Sequence, residues 1–460
     1  MPIQSQRHPA SYRDPSGFVF NYEGIIYRQI NQVFKKDFDH FISSGLYDEL
    51  VKQQLLIPHH IINKNLTGDI DWYSTIQPEF IPFISYPYEW CFDMLKDAAL
   101  LTLRITKISM QYGMILKDAS PYNIQWHKGK LIFIDTLSFE RYDETKPWVA
   151  YRQFCENFVA PLALMNYLQV PLQSLLLSNP EGVPLAIAKK MLPWKSRLNM
   201  HLYLHLHLHE NYLNKKPVAI STPVFSKQKL ANILKSLEAL INPFELKYKG
   251  VWADYYDEAE QRVDYMTTKK KIIENWINAA GKINTAIDAG ANDGAFSDLL
   301  NQKGIFTISA DFDHHAINQL YKKAKTDLSE LAYPVIIDFA NPSPAIGLNN
   351  QERSSFIDRI QTDLVLALAF IHHLAIGKNI PFEDIAQLLL SLGKKLIVEF
   401  VGKQDEKIQY MLQQKKDIYN WYSEENFKNA FEKYYKIMLV ETISSHRTLY
   451  LMMPHESQNS

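Results

Sequence analysis

The sequence lacks the marks of several protein classes. Its only cysteines, Cys91 and Cys155, are too few for a disulfide framework or a cysteine zinc site. No apolar run approaches the roughly 18 residues of a membrane span, and the first residues contain no apolar segment typical of a signal peptide. The formal charge of −1, from 49 basic and 50 acidic residues, argues against general nucleic-acid binding. We therefore expect a cytoplasmic globular protein of two or three domains.

A glycine-containing turn follows an apolar segment at Thr285–Ala289. Asp288, Gly290 and Gly294 have the spacing D-x-G-x-x-x-G, and a helix is predicted from Ala295. Glycine tolerates positive φ and brings the backbone close to a ligand, and the free N–H groups of the helix start face the same place. The spacing differs from a dinucleotide G-x-G-x-x-G loop and from a phosphate-binding P-loop.

Alternating strands and helices follow this turn. A strand at 306–310 ends in Asp311, a carboxylate that could accept two hydroxyl hydrogen bonds from a ribose. Further strands are predicted at 333–337, 363–369 and 396–401, and the chain closes with β-rich runs at 436–442 and 447–452. Taken alone, Gly290 and Gly294 could form only a tight strand–helix turn of any doubly wound fold. Asp311 alone could be an ordinary helix N-cap.

Residues 270–455 resemble class I S-adenosylmethionine-dependent methyltransferases. The resemblance implies a Rossmann-like α/β sheet with a terminal antiparallel hairpin, and S-adenosylmethionine as cofactor. It also implies a set of cofactor-binding residues: Asp288, Gly290, Asn292, Gly294, Asp311 and Asp338.

The acceptor side of the predicted site has fewer signals. His372 and His373 follow the fourth strand of this domain, where a histidine could deprotonate an acceptor hydroxyl, although packing and solvent exposure are equally ordinary explanations. Glu399 ends the fifth strand and is a further catalytic candidate. Asn341-Pro342 follows the third strand and lacks the aromatic residue of the amino-methylating signature, so we do not infer methylation of a base or glutamine.

A second pattern occupies the first half of the chain. Asp118, Asn123 and Asp135 have the order of a catalytic aspartate followed by two magnesium ligands, with two strands and a turn between the last two. The segment is similar to aminoglycoside-phosphotransferase-like and protein-kinase-like folds. No glycine-rich phosphate loop or strand lysine is present, and Arg28 is the nearest substitute. We therefore favour an α+β kinase-like domain without phosphoryl transfer, with a working Mg-ATP site as the alternative.

The His-rich segment Met200–His209 alternates as a strand would, but the helical pattern just before it, at 186–191, favours a helix. His201, His205 and His209 would share one helix face and could bind zinc, but no Cys or acid completes the set, so we expect a polar face and no metal.

The predicted domains are a kinase-like domain at 1–215, a linker and helical lead-in at 216–268, and a methyltransferase domain at 269–460. The whole chain resembles bacterial nodulation-type methyltransferase proteins that carry this pairing. We expect a methyltransferase that acts on a small-molecule, glycan or protein acceptor. A bifunctional kinase–methyltransferase and a non-catalytic binding module are the alternatives, and the acceptor and the oligomeric state stay open.

Overall fold

The computed structural model describes residues 6–209, 225–248, 263–413 and 415–455. The chain divides into two compact units. Unit 1 comprises Met1–Tyr248 and Ala345–Arg353, and unit 2 comprises Lys249–Pro344 and Ser354–Ser460. Much of the predicted linker, at 216–224 and 249–262, lies outside the described residues. No helix in the described ranges is long and apolar enough to cross a membrane.

Unit 1 begins with an antiparallel sheet of five strands in the order β1-β2-β3-β5-β4. The strands are β1 (Gln6–Arg7), β2 (Gly17–Tyr22), β3 (Ile25–Asn31), β4 (His59–Ile62) and β5 (Trp72–Pro78). Helices α1 (Lys35–Ser43) and α2 (Leu46–Lys52) connect β3 to β4. Ile30, Phe34, Phe38, Ile76 and Leu137 form a buried apolar cluster here.

The rest of unit 1 is mainly helical around α3 (Phe92–Gln111), twelve of whose residues are buried. Two short hairpin-like sheets pair β6 (Met114–Leu116) with β9 (Phe139–Arg141) and β7 (Ile124–His127) with β8 (Lys130–Phe133). The helices that follow are α4 (Tyr151–Phe154), α5 (Ala160–Leu168), α6 (Leu175–Ser178), α7 (Leu185–Met191), α8 (Met200–Leu202) and α9 (Lys227–Ile241).

The sequence did not predict two features of unit 1, the packing of α9 and the π-helical form of two segments, although it favoured a helix at 200–209. Helix α9, expected in the linker, packs on α3, where Lys107 pairs with Glu238. Residues 200–209 are helical, and Tyr203–Leu208 is a π-helix. Cys155–Val159 is also π-helical. π-Helical turns are rare and are not predictable from hydrophobic periodicity, because they insert a residue into an otherwise helical pattern.

Unit 2 is built on a seven-stranded mixed sheet in the order β12-β11-β10-β13-β14-β16-β15. The five parallel strands are β10 (Thr285–Ala289), β11 (Phe306–Asp311), β12 (Ala332–Ile336), β13 (Thr362–Ala367) and β14 (Gly393–Val401). Antiparallel β15 (Tyr435–Ser444) and β16 (Arg447–Pro454) complete it. The predicted mixed sheet with a terminal antiparallel hairpin is therefore confirmed.

Helices connect these strands. They are α10 (Val263–Ala279), α11 (Ala295–Gln302), α12 (His314–Thr326), α13 (Phe356–Arg359), α14 (Ile371–Ala375), α15 (Phe382–Leu392), α16 (Glu406–Gln413) and α17 (Glu424–Phe431). The strand order reverses between β10 and β13, which lie side by side. In open α/β sheets ligands bind at the carboxyl ends of the strands beside such a reversal.

Candidate active site

A cavity of about 560 Å³ opens at the carboxyl ends of the parallel strands of unit 2. This volume lies within the range of about 300–1,000 Å³ that is common for small-molecule sites. Of the residues predicted to bind a cofactor, all but Gly294 line it: Asp288, Gly290, Asn292, Asp311 and Asp338.

The loop between β10 and α11 depends on residues that tolerate positive φ. Gly290 and Gly294 have φ of 80° and 78°, and Asn292 has φ of 47°. A Cβ on Gly290 would lie 2.9 Å from the Phe370 ring, and a Cβ on Gly294 would lie 2.5 Å from Leu320. Gly294 therefore acts as the helix cap that packs against α12, whereas Gly290 lets the backbone pass under an aromatic side chain.

Asp288 is buried at the base of the loop. The Ser297 hydroxyl donates to its carboxylate at 2.7 Å, and Ser309 donates to Ser297 at 2.8 Å. Burial raises the pKa of Asp288 to about 6, against the opposing effect of the Ser297 hydrogen bond. The carboxylate therefore holds the start of α11 to β10 and β11 and adds negative charge beneath the cavity.

Asp311 sits at the end of β11, with only 7% of its surface exposed. Its carboxylate accepts N–H groups of Asn292 at 3.0 Å and Asp313 at 2.9 Å, and burial raises its pKa. Asp338 is more open: it accepts the Ala340 N–H at 2.9 Å and lies 3.9 Å from the Lys378 ammonium. Both acids line the cavity, and a carboxylate can accept further hydrogen bonds, as a hydroxyl-bearing ligand would require.

Two aromatic rings form part of the cavity wall. Phe339 and Phe370 pack edge to face with their centroids 5.2 Å apart, and both line the cavity. Ala369, which directly precedes Phe370 after the end of β13, also lines the cavity and has φ of 49°. A non-glycine residue in this region stores backbone strain, which occurs most often at binding sites.

The two predicted histidines have different positions. His373 lines the cavity, whereas His372 is buried outside it, and the two rings lie 4.1 Å apart. Burial lowers the pKa of His373 to about 4 and that of His372 well below its usual value. Both rings are therefore neutral near pH 7, and His373 is the one of the pair that a ligand in the cavity could contact.

Glu399 is fully buried and does not line the cavity. Its carboxylate accepts hydrogen bonds from Lys269 at 2.5 Å, from the Tyr265 hydroxyl at 2.7 Å and from Arg447 at 3.2 Å. Arg447 also donates to Asp405 at 2.7 and 3.1 Å. We call Tyr265, Lys269, Glu399, Asp405 and Arg447 the buried ionic cluster.

The cations of the ionic cluster, Lys269 and Arg447, line the cavity together with Tyr265, whereas Glu399 and Asp405 do not. Burial acts to raise the pKa of Glu399, but Lys269 and Arg447 hold it below its usual value. Sequence reasoning named Glu399 but missed its three partners. No local motif marks them, because α10 and β16 lie about 130 and 48 positions from Glu399 along the chain.

In unit 1 the predicted kinase-like residues lie in a network of protein contacts. Asp135 forms an ion pair with Arg28 and accepts the Leu137 N–H at 3.2 Å. Asn123 donates to the Ser138 hydroxyl at 3.2 Å, and Ser138 in turn donates to Asp135.

Asp118 contacts neither of the other two predicted residues. Its carboxylate accepts the Gln153 side-chain amide at 2.7 Å and the Ser120 N–H at 2.9 Å. Of the three, Asn123 and Asp135 are therefore joined through Ser138.

The predicted histidine face is used by the protein itself. His201 and His205 approach the Ser236 hydroxyl at 2.7 and 2.8 Å, and His205 contacts the Tyr151 hydroxyl at 2.7 Å. The described part of the chain contains no group of three His, Cys, Asp or Glu side chains that could hold a metal ion. The zinc hypothesis therefore finds no ligand set among these residues.

The strand order of unit 2 and the glycine loop at its reversal define the fold of class I methyltransferases. The chain belongs to the family of the nodulation protein NoeA of Rhizobium meliloti (strain 1021). It is 32% identical to that protein over 459 residues, which cover 96% of this chain and 95% of the relative.

No family model matches the chain. Among solved structures it is similar to the bifunctional kinase-methyltransferase WbdD, at 20% identity, over 43% of this chain and 40% of that one, with a TM-score of 0.28. The match thus spans less than half of WbdD. It is also similar to magnesium protoporphyrin IX methyltransferase from Synechocystis PCC 6803 with bound SAH, at 16% identity, over 42% of this chain and 84% of that one, with a TM-score of 0.30.

Proposed function

We propose that unit 2 is a methyltransferase that uses S-adenosylmethionine and acts on a small-molecule, glycan or protein acceptor. The observation that carries the proposal is the cavity at the strand reversal, which joins the glycine loop to the carboxylate of Asp311. When bound, S-adenosylmethionine supplies an electrophilic methyl group on a positively charged sulfur.

The residues present fit this cofactor. The backbone at Gly290 would pass beside it without a Cβ, and Asp311 would accept hydrogen bonds from the ribose hydroxyls. Asp338, at the neighbouring strand end, would contact the adenine side, and Phe339 and Phe370 would exclude water from one wall. Asp288 would hold the loop from beneath.

On the acceptor side, we propose that His373 accepts a proton from the acceptor group. Its imidazole lies at the cavity and is neutral near pH 7, and general-base action requires the neutral form. Its low pKa makes it a weak base, so positioning of the two reactants would supply most of the rate enhancement. Glu399 would act as a positioning residue that orients Lys269 and Arg447, and His372 would support the His373 ring.

Calorimetric titration of S-adenosylmethionine and S-adenosylhomocysteine tests the cofactor site. We expect micromolar binding by the wild type and a dissociation constant raised at least about tenfold in Asp311→Asn, because a charge-assisted hydrogen bond contributes about 1.5–3 kcal/mol. Asp384→Asn is the matched control, since Asp384 is exposed on α15 and does not line the cavity. No binding by folded wild-type protein would reject the proposal in favour of a non-catalytic module.

For unit 1, we propose a kinase-like domain that does not transfer phosphate. The ion pair of Arg28 with Asp135 supports this, because a magnesium ion at Asp135 would have to displace a guanidinium whose side chain is only 17% exposed. We expect ATP and MgCl₂ together to leave the melting temperature unchanged. Magnesium-dependent stabilisation by ATP that disappears in Asp135→Ala would instead establish the bifunctional alternative.

A further inference from the structure

Unit 1 carries a surface region where large apolar side chains are exposed next to basic ones. The exposed apolar residues come from α7, from the 3₁₀ turn Trp194–Leu198 and from the helical segment that starts at Met200. They are Ile187, Met191, Trp194, Leu198, Met200 and Leu204. With Lys189, Lys190, Lys195 and Arg197, we call this surface the basic-apolar patch.

The exposure within the patch is large for such residues. Trp194, Leu198 and Met200 are 68%, 73% and 68% exposed. Single exposed apolar residues are ordinary, but a contiguous group bordered by polar residues marks an interaction surface. The three elements pack on one another, and the buried His207 ring contacts the Ser196 hydroxyl at 2.9 Å. The patch is therefore one surface and not scattered positions.

The charge of this surface has one sign. Residues 182–209 contain no aspartate or glutamate, while Lys189, Lys190, Lys195 and Arg197 all lie within them. Three of these cations line a depression of about 360 Å³ together with Trp194. In the described part of the chain, Lys190, Lys195 and Arg197 form no ion pair with a carboxylate.

We propose that the basic-apolar patch binds the surface of an anionic lipid bilayer. Basic side chains are attracted to anionic headgroups, and apolar side chains with a tryptophan enter the boundary between headgroups and acyl chains. The cationic depression next to Trp194 fits a lipid phosphate beside an inserted ring. A soluble acidic protein would complement the charge but would not explain side chains as long and apolar as Met191, Leu198 and Met200 around it.

Sedimentation of the full-length protein with sucrose-loaded vesicles tests the proposal. We expect saturable binding to vesicles of phosphatidylcholine with 30% phosphatidylglycerol, and much weaker binding to pure phosphatidylcholine. Binding should weaken at 0.5 M NaCl, because salt screens the headgroup attraction. Each basic residue near such a surface strengthens partitioning roughly fivefold. Lys195→Glu/Arg197→Glu should therefore weaken it at least about 25-fold.

An apolar variant separates insertion from charge alone. Trp194→Ser/Leu198→Ser should weaken vesicle binding at least about tenfold, because both side chains lose their transfer into the bilayer boundary. Matched controls are Lys35→Glu/Lys36→Glu and Ile70→Ser, all exposed positions of unit 1 outside the patch, which should bind as the wild type does. Unchanged circular dichroism melting shows that each variant is folded.

Several results would overturn the proposal. These are absence of vesicle binding by the folded wild type, equal binding to neutral and anionic vesicles, and wild-type binding by both patch variants. Binding to polyglutamate that depends on Lys195 and Arg197, without vesicle binding, would assign the patch to an acidic protein partner instead.

Discussion

Replacing Glu399 with glutamine removes the negative charge at the centre of the buried ionic cluster. The side chains of Glu399 and Lys269 are 0% and 4% exposed, so the ammonium group has little contact with water when its partner is neutralised. Arg447 keeps Asp405 as a second partner, but Lys269 loses its carboxylate. The main penalty is therefore one buried, uncompensated cation.

Breaking a buried ion pair by removing one partner costs about 3–5 kcal/mol. Since Arg447 retains Asp405, we take the lower figure of about 3 kcal/mol. For a unit of roughly 200 residues, each kcal/mol lowers the melting temperature by about 2–4 °C. Glu399→Gln should therefore lower the melting temperature of unit 2 by roughly 6–12 °C, measured by circular dichroism.

A second substitution tests whether the unpaired ammonium group of Lys269 causes the loss of stability. Lys269→Met/Glu399→Gln removes the stranded ammonium and should recover much of the lost stability. The control is Glu383→Gln, which neutralises the exposed pair with Lys433 and should leave the melting temperature unchanged. A Glu399→Gln protein that melts with the wild type, or a double variant no more stable than the single one, would refute the reasoning.

The pH dependence gives an independent check of the same cluster. Because the folded-state pKa of Glu399 lies below its unfolded value of about 4.3, the stabilisation is fully present above that value. It is lost as pH falls through the folded-state pKa. The loss of stability between pH 5 and 3 should therefore be smaller in Glu399→Gln than in the wild type.

Three further predictions concern the same unit. Gly294→Ala should lower its stability by about 1–3 kcal/mol in urea denaturation, from positive φ and the clash with Leu320. Gly304→Ala, with φ of 77° and no atom within 4 Å of the added Cβ, should lower the stability by a smaller amount. Equal losses in the two variants would show that the Leu320 side chain moves aside without cost. His373 has a folded-state pKa of about 4 and an unfolded one of about 6.5, so its neutral form stabilises the fold above pH 6.5. Stability should fall as pH drops from 6.5 toward 4, and His373→Gln should show a shallower fall. An identical profile would contradict a neutral imidazole in the folded protein. If His373 is the base, His373→Gln should lower kcat and leave S-adenosylhomocysteine affinity within about twofold, whereas parallel losses would indicate a role in cofactor binding.

The sheet of unit 2 was predictable from the sequence because short local patterns specify its strands and its glycine loop. Buried parallel strands are apolar runs, and positive φ at Gly290 and Gly294 requires residues without a Cβ. The strand that carries Asp311 was placed within one residue of its end, and the helix after Gly294 begins at Ala295 as predicted. Each of these signals needs only a window of ten or so residues.

The ionic cluster was not predictable in the same way. Lys269 lies on a helix whose amphipathic pattern does not distinguish this lysine from its neighbours. Arg447 is the first residue of a strand that follows a turn, and nothing near it in the sequence indicates its partner. Their shared partner exists only after α10, β14 and β16 have come together. Similarly, the alternation of Leu and His at 200–209 fits a strand as well as a helix, and contacts with Ser236 and Tyr151 accompany the helical form. Tertiary contacts therefore determine both the partners of Lys269 and Arg447 and the secondary structure at 200–209.

The ionic cluster also bears on the charge that a ligand would meet. Four acids line the cavity, Asp288, Asp293, Asp311 and Asp338, and so do four cations, Lys269, Lys270, Lys378 and Arg447. Two of the cations, Lys269 and Arg447, are already balanced from beneath by Glu399 and Asp405. The remaining charge is negative, which favours a positively charged ligand such as a sulfonium. Glu399 therefore affects the cavity without touching its contents: neutralising it would make the surface more positive and should weaken sulfonium binding more than binding of the neutral thioether product.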